Sequence, residues 1–190
     1  MPYITAGVRP DWVSYLTAFS GAGADLIEVG LPFSDPTVDG PTIQAASDAA
    51  LARGVTAASV LAELSAIRVG IPLIASTYAN IALRPGFAGA LRAAGVTGLI
   101  VPDLPLDELA GLSAPGIEVS LLASPATPDD RLAEIGRRSQ GKCMQLGWQK
   151  NPSHHQHREP ANVEYPLHRP HCHLRRETQI RVPRNQIRTN

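Results

Sequence analysis

The first 141 residues alternate short apolar runs with stretches in which apolar residues recur every three or four positions. Unbroken apolar runs are typical of strands buried on both faces, and the 3.6-residue recurrence is typical of amphipathic helices. This alternation predicts an α/β fold, a parallel sheet covered by helices. The five predicted strands span residues 1–6, 25–29, 71–77, 97–102 and 117–123.

Helices are predicted between these strands, and glycines end most of them. Thr56 is expected to cap one helix, and Thr127 is expected to cap the last one, with Pro128 in its first turn. The pattern alone leaves two architectures open, an open doubly wound sheet and a (β/α)8 barrel. The predicted helices begin near Asp11, Pro41, Thr56, Pro85, Leu106 and Thr127.

The composition changes sharply near residue 141. The 190-residue chain holds 17 basic and 17 acidic residues, but residues 1–141 carry a net charge of −6 and residues 142–190 carry +6. The second segment also contains all six histidines and both cysteines, and it lacks helical or strand periodicity. We therefore expect two regions, a partial barrel over 1–141 and a disordered basic tail over 142–190.

Three interpretations of the tail remain open. Alanine and glycine become rare at residue 142, which fits an out-of-frame translation after a frameshift. A native basic arm is the second interpretation, although aromatic residues are sparse and nucleic-acid binding is not expected. The third is a metal site at His171-Cys172-His173, but adjacent ligands fit one tetrahedral ion poorly, so no metal is expected.

Several protein classes are disfavoured by composition. No apolar run approaches the roughly 18 residues that a membrane span requires. Pro2 and Gly7 interrupt the pattern of a signal peptide, and two cysteines are too few for a disulfide scaffold. We expect a cytoplasmic protein with no membrane association.

Glu28 stands inside the second predicted strand, between two apolar residues. A carboxylate in a buried strand is costly, and desolvation would raise its pKa into a range that suits general acid–base catalysis. The alternative is a glutamate at the end of the strand, satisfied by solvent or by a loop amide. Both interpretations remain open from the spacing alone.

Polar or aromatic side chains lie at the C-terminal ends of four successive predicted strands. In α/β folds the loops after the carboxyl ends of strands form the active-site face, so we expect these side chains to converge. Asp35 and Asp39 also fit a simpler role, because aspartate before proline or glycine favours turns. The set comprises Tyr3 and Thr5, Asp35 and Asp39, Tyr78 with Asn80, and Asp103.

The segment LIEVGLPFSDPTVDGPTIQAAS at 26–47 resembles the signature of the tryptophan synthase α subunit family. PYITAG at 2–7, Tyr78-Ala79-Asn80 and VPDLP at 101–105 match further blocks of that family in the same order. The resemblance covers about residues 1–141. It implies a (β/α)8 TIM barrel, and about five of its βα units are present in this chain.

The resemblance also implies an activity, the retro-aldol cleavage of indole-3-glycerol phosphate to indole and glyceraldehyde 3-phosphate in tryptophan biosynthesis. By position, Glu28 matches the catalytic acid–base that protonates the indole ring, and Asp39 matches the carboxylate that holds the indole N–H. Tyr3, Thr5 and Tyr78 match positions that line the indole pocket.

The family implies a partner, the tryptophan synthase β subunit, in an α2β2 assembly. Pyridoxal phosphate belongs to that partner, and the α subunit needs no cofactor. The positions that match the docking face are Pro32, Asp35, Pro36, Asn80 and Pro105.

The chain departs from the family in two places. The family has a helix before the first strand, and after residue 141 it has further strands with glycine-rich turns that bind the substrate phosphate. Residues 142–190 show no such glycine cluster. We therefore expect little activity from this chain alone. The alternative is a non-catalytic remnant or interaction module that keeps part of the docking face and has a basic arm.

Overall fold

A computed structural model describes residues 1–112, 114–124, 126–140 and 144–145 of the chain. Apart from residues 144 and 145, the basic segment at 142–190 lies outside these residues, and with it the proposed frameshift product, the basic arm and the metal site at His171-Cys172-His173.

Five parallel strands form one sheet in which the spatial order is the chain order. A doubly wound sheet reverses its strand order at a switch point, whereas a barrel wall does not. The order β1-β2-β3-β4-β5 in the described chain therefore favours the barrel over the open sheet. The strands are β1 Tyr3–Thr5, β2 Ile27–Gly30, β3 Leu73–Ser76, β4 Val96–Ile100 and β5 Glu118–Ser120.

The helices follow the predicted alternation, with one addition. The helix at residues 79–82 is not predicted from the sequence, because a single turn is too short to show a 3.6-residue pattern. The helices are α1 Trp12–Gly21, α2 Pro41–Ala52, α3 Ala57–Ser65, α4 Ala79–Ala82, α5 Phe87–Ala93 and α6 Asp129–Arg138, with a 3₁₀ helix at Leu106–Gly111.

The predicted strand at 117–123 is divided at Leu121. The backbone N–H of Leu121 donates to the Ser139 hydroxyl at 3.2 Å, beyond the end of α6, and not to the neighbouring strand. A separate short strand, β6 Leu122–Ala123, then pairs in parallel with β7 Met144–Gln145. Strand β7 lies beyond residue 141, where the sequence placed the end of the ordered region, and continues the alternation.

The two predicted helix caps have different outcomes. Thr56 caps α3 as expected, because its hydroxyl accepts the Ser59 N–H at 3.1 Å and the Ser59 hydroxyl accepts the Thr56 N–H at 2.9 Å. The prediction for Thr127 is wrong. Its hydroxyl accepts the Ser124 N–H at 2.9 Å within a local turn, and Pro128 takes the capping position without a side-chain bond.

The main core lies between the helices and one face of the sheet. Ile27, Val29 and Leu99 are fully buried there against apolar side chains of α1, α3 and α5. The indole N–H of Trp12 donates to the Glu63 carboxylate at 2.7 Å and thereby joins α1 to α3. Neighbouring helices are thus fixed to the same side of the sheet.

The opposite face of the sheet is more polar. Strand register pairs Tyr3 with Glu28 and Thr5 with Gly30, and Gly30 pairs in turn with Ser76. Paired residues in a sheet point to the same face, so these five positions share the face turned away from the core helices. This face is where the candidate site is built.

Truncating a core leucine tests the packing. Leu64 on α3 is 1% exposed, so we expect Leu64→Ala to lower the free energy of unfolding by about 2–5 kcal/mol through lost burial and a residual cavity. Leu83, which is 41% exposed, is the matched control, and Leu83→Ala should change stability by about 0.5 kcal/mol or less. Urea denaturation measures both, and equal losses would contradict this assignment of the core.

Candidate active site

Glu28 is held on the polar face of β2 by the burial of its two neighbours. Ile27 and Val29 are fully buried in the core, so the alternation of the strand turns the Glu28 side chain to the other face. Glu28 is half-buried, and burial is the main cause that raises the pKa of its carboxyl. The Ser76 hydroxyl opposes this rise in pKa, and the negative charge of Asp39 adds to it.

The Asp39 carboxylate is hydrogen-bonded directly to Tyr78. The phenol O–H of Tyr78 donates to Asp39 Oδ2 at 2.9 Å, and the phenol oxygen accepts the backbone N–H of Val38 at 3.2 Å. Burial, followed by the bond to Asp39, raises the pKa of Tyr78 to about 12. The phenol is therefore protonated near neutral pH and acts as the donor.

Further contacts hold the loop that contains Asp39. The Phe33 ring stacks on Tyr78 with centroids 4.6 Å apart and planes inclined by 19°. The side-chain amide of Gln44, in α2, donates to the backbone carbonyls of Asp39 at 2.9 Å and Pro36 at 3.2 Å. Asp39 thus lies in a turn, as its sequence context also allowed, while its carboxylate faces the site.

The Tyr3 ring lies directly over Gly30. A Cβ atom added to Gly30 would lie 2.0 Å from the Tyr3 hydroxyl oxygen and 2.6 Å from Cζ, so a side chain there would displace the ring. The Tyr3 and Thr5 hydroxyls hydrogen-bond at 3.2 Å. Burial raises the pKa of Tyr3 to about 12, opposed by the Thr5 bond and assisted by the charges of Asp39 and Glu28.

The structure therefore brings together the five residues that the sequence assigned to catalysis and to the indole pocket. Tyr3 and Thr5 come from β1, Glu28 from β2, Asp39 from the following loop, and Tyr78 from the end of β3. All five lie at or beyond the carboxyl ends of neighbouring strands or on the polar face that leads to them.

Two further residues belong to the site, and neither is predicted from the sequence. Gly30 provides room for the Tyr3 ring, and Ser76 faces Glu28 from the neighbouring strand. The available signals were a glycine two residues after Glu28 in a strand, which often marks a close approach, and a hydroxyl residue ending an apolar run.

The positions matched to partner docking differ in accessibility. Asp35, Asn80 and Pro105 are exposed, whereas Pro32 and Pro36 are buried. The carboxylate of Asp103 accepts the Ala79 N–H at 2.8 Å and joins the end of β4 to the start of α4. The docking role of these positions stays a prediction.

The site combines two carboxyl groups in different environments. Glu28 has a raised pKa, and the Asp39 carboxylate receives a hydrogen bond from a phenol. Such a pair suits a division of labour in which one group donates a proton and the other holds a developing positive charge.

A protein-family model described as tryptophan synthase alpha chain matches residues 1–146. Tryptophan synthase alpha chains from Synechococcus sp. (strain CC9902) and Rippkaea orientalis are 43% and 44% identical over 153 residues. Each alignment covers 74% of this chain, and the coverage of the relatives is 56% and 57%. The chain therefore spans little more than half the length of these relatives.

Solved structures show the same similarity. Tryptophan synthase from M. tuberculosis, in its aminoacrylate- and BRD0059-bound form, is 40% identical with a TM-score of 0.68, over 75% of this chain and 61% of that chain. A chain of the tryptophan synthase a2b2 complex from Pyrococcus furiosus is 35% identical with a TM-score of 0.66, over 76% of this chain and 66% of that chain.

In the part of this chain that the structure describes, no helix is long and apolar enough to cross a membrane.

Replacing Glu28 with glutamine should change the pH dependence of stability. Because the folded-state pKa of Glu28 is raised, its contribution to stability is present below the ordinary pKa of glutamate and is lost as pH rises through the raised value. Glutamine stays neutral, so Glu28→Gln should melt higher than the wild type at pH 8, with a difference that shrinks toward pH 4.

Thermal melts at several pH values measure this difference. Glu108→Gln, at an exposed glutamate of the 3₁₀ helix, is the matched control and should show a smaller pH-dependent difference. If the melting temperatures of Glu28→Gln and the wild type differed by the same amount at every pH, the raised pKa of Glu28 would be contradicted.

Proposed function

Because the chain belongs to the tryptophan synthase alpha chain family, we propose that it holds the acid–base and indole-binding part of a lyase site for indole-3-glycerol phosphate. The observation that carries this proposal is the placement of Glu28, on the polar face of β2, near Asp39, in the loop after β2, with hydroxyl partners from the neighbouring strands β1 and β3. The products are indole and glyceraldehyde 3-phosphate.

Glu28 is proposed as the general acid. Its raised pKa keeps a larger fraction of the carboxyl protonated near neutral pH, and that proton goes to the indole carbon that bears the glycerol phosphate chain. Protonation makes the ring cationic. The bond between the ring and the side chain then breaks and its electrons return to the ring, while the side-chain hydroxyl becomes the aldehyde and passes its proton to the Glu28 carboxylate left by the first step.

Asp39 is proposed to stabilise the cationic ring. Its carboxylate accepts the indole N–H, where much of the positive charge develops, and electrostatic stabilisation of this kind is often a large part of catalysis. Tyr3, Thr5 and Tyr78 are proposed to surround the ring. These steps consist of proton transfers and the cleavage of one carbon–carbon bond, with no external oxidant or reductant, so the proposal needs no cofactor in this chain.

The proposed partner is a tryptophan synthase β subunit, which would hold pyridoxal phosphate and receive the indole. The exposed positions Asp35, Asn80 and Pro105 support this docking face, and the assembly named for the Pyrococcus furiosus relative is an a2b2 complex. The cytoplasm is the proposed location, as for a biosynthetic lyase.

A second candidate function is a docking module with little catalysis. It is favoured by one observation, namely that residues 142–190 have no glycine cluster of the kind that binds the substrate phosphate. Without such a cluster, we expect turnover by this chain to be much slower than that of a full-length relative.

Indole release tests the proposal. The purified 190-residue chain is mixed with a tryptophan synthase β subunit, and indole formed from indole-3-glycerol phosphate is quantified by chromatography. Slow turnover is expected, and Glu28→Gln should reduce it by about 10²–10⁴-fold, the usual contribution of a general acid. Glu108→Gln is the matched control and should leave the rate unchanged.

Three results would count against this account. Undiminished turnover by Glu28→Gln would reject its acid–base role. Absence of indole above background, together with binding to the β subunit, would favour the docking module. A rate near that of a full-length alpha chain would contradict the expected importance of the phosphate-binding segments.

A further inference from the structure

We infer that Tyr78 is a positioning residue that fixes the Asp39 carboxylate so that it selects ring systems with an N–H group. This inference rests on the proposed function, because it concerns how Asp39 meets the indole. Its basis is a set of contacts that converge on the Tyr78 phenol.

The phenol uses both of its hydrogen-bonding capacities on the loop of Asp39. It donates its one proton to Asp39 Oδ2 at 2.9 Å and accepts the Val38 N–H at 3.2 Å. A phenol has one donor, so its orientation is fixed by these two partners. The adjacent backbone and the carboxylate are therefore held by the same atom.

The phenol is itself held firmly. Tyr78 is only 6% exposed, and its ring stacks on Phe33 from the same loop that contains Asp39. Tyr78 also directly precedes α4 in the chain. The first N–H of that helix, from Ala79, donates to the Asp103 carboxylate at 2.8 Å. Tyr78 thus joins the loop after β2 to the ends of β3 and β4.

In this arrangement the two oxygens of the Asp39 carboxylate have different roles. Tyr78 occupies Oδ2, which leaves Oδ1 as the oxygen that accepts a ligand N–H. The Gln44 bond to the Asp39 backbone carbonyl at 2.9 Å fixes the main chain of the same residue. Since both ends of Asp39 are held, Oδ1 has a defined direction before any ligand binds, which improves a directional hydrogen bond.

The consequence is a specific kind of selectivity. A pocket that only fits a flat bicyclic ring would bind indole and benzofuran alike, because the two have nearly the same shape. A positioned carboxylate oxygen favours indole, which donates an N–H, and disfavours benzofuran, whose ring oxygen places a lone pair against the carboxylate.

Binding of indole and of benzofuran to the full 190-residue chain tests the inference. Dissociation constants are measured by ligand-observed NMR for the wild type, Tyr78→Phe, Tyr15→Phe and Asp39→Asn. Phenylalanine keeps the ring that stacks on Phe33 but removes the phenol oxygen. Tyr15, half-buried on α1 away from the site, is the matched control.

We expect the wild type and Tyr15→Phe to bind indole on the order of 10-fold more tightly than benzofuran. Tyr78→Phe should lose most of this preference through weaker indole binding, and its affinity for benzofuran should change little. Asp39→Asn measures how much of the preference depends on the carboxylate itself. A general loosening of the pocket would weaken both ligands equally, so the ratio separates positioning from a structural role.

The contrary outcomes are distinct. A Tyr78→Phe variant that retains the full preference, or that loses affinity for both ligands equally, would overturn the positioning role while leaving the proposed function standing. A wild type with no preference for indole would overturn the role of Asp39 as N–H acceptor and, with it, the proposed function and this inference.

Discussion

The alternation of side chains along β2 is the constraint on which the rest of the site depends. Ile27 and Val29 are fully buried against the helices, and this burial turns Glu28 and Gly30 to the opposite face. A shift of one residue in register would place the carboxylate in the apolar core and two large apolar side chains in the site. The packing of the core therefore determines the position of Glu28, the proposed general acid.

From that one strand the neighbouring parts of the site follow. Gly30 leaves room for the Tyr3 ring, which covers the strand next to Glu28, and parallel pairing brings the end of β3 beside it. The loop after β2 then returns Asp39 toward Tyr78, where the phenol holds its carboxylate at 2.9 Å. Burial, and to a smaller extent the nearby charge of Asp39, raise the pKa of Glu28, which suits the acid role proposed for it.

Much of this fold could be predicted from the sequence, because strand and helix periodicity are local properties. The five strands, the Thr56 cap and the polar convergence at strand ends were all apparent, and strand order then decided between sheet and barrel. Features that depend on residues distant in the sequence could not be predicted in this way. The interruption at Leu121 depends on a hydroxyl 18 residues away, and Thr127 formed a local turn where a cap was expected.

The same distinction applies to the site. Glu28 and Asp39 were identified by motif, but the role of Gly30 is visible only when the Tyr3 ring is in place, and the Tyr78–Asp39 bond joins residues 39 positions apart. Pro32 and Pro36, which the motif matched to the docking face, are buried. Neither a close approach nor the burial of a loop has a periodic signature in the sequence.

The central claim is that burial and a neighbouring carboxylate raise the pKa of Glu28, as its proposed role as a proton donor requires. A titration of the ¹³C-labelled glutamate carboxyls by NMR measures it most directly, in the wild type and in Asp39→Asn. The account predicts a pKa for Glu28 above that of an ordinary glutamate, lowered but still raised once the charge of Asp39 is removed. An ordinary pKa in the wild type, or one that does not respond to Asp39→Asn, would contradict it.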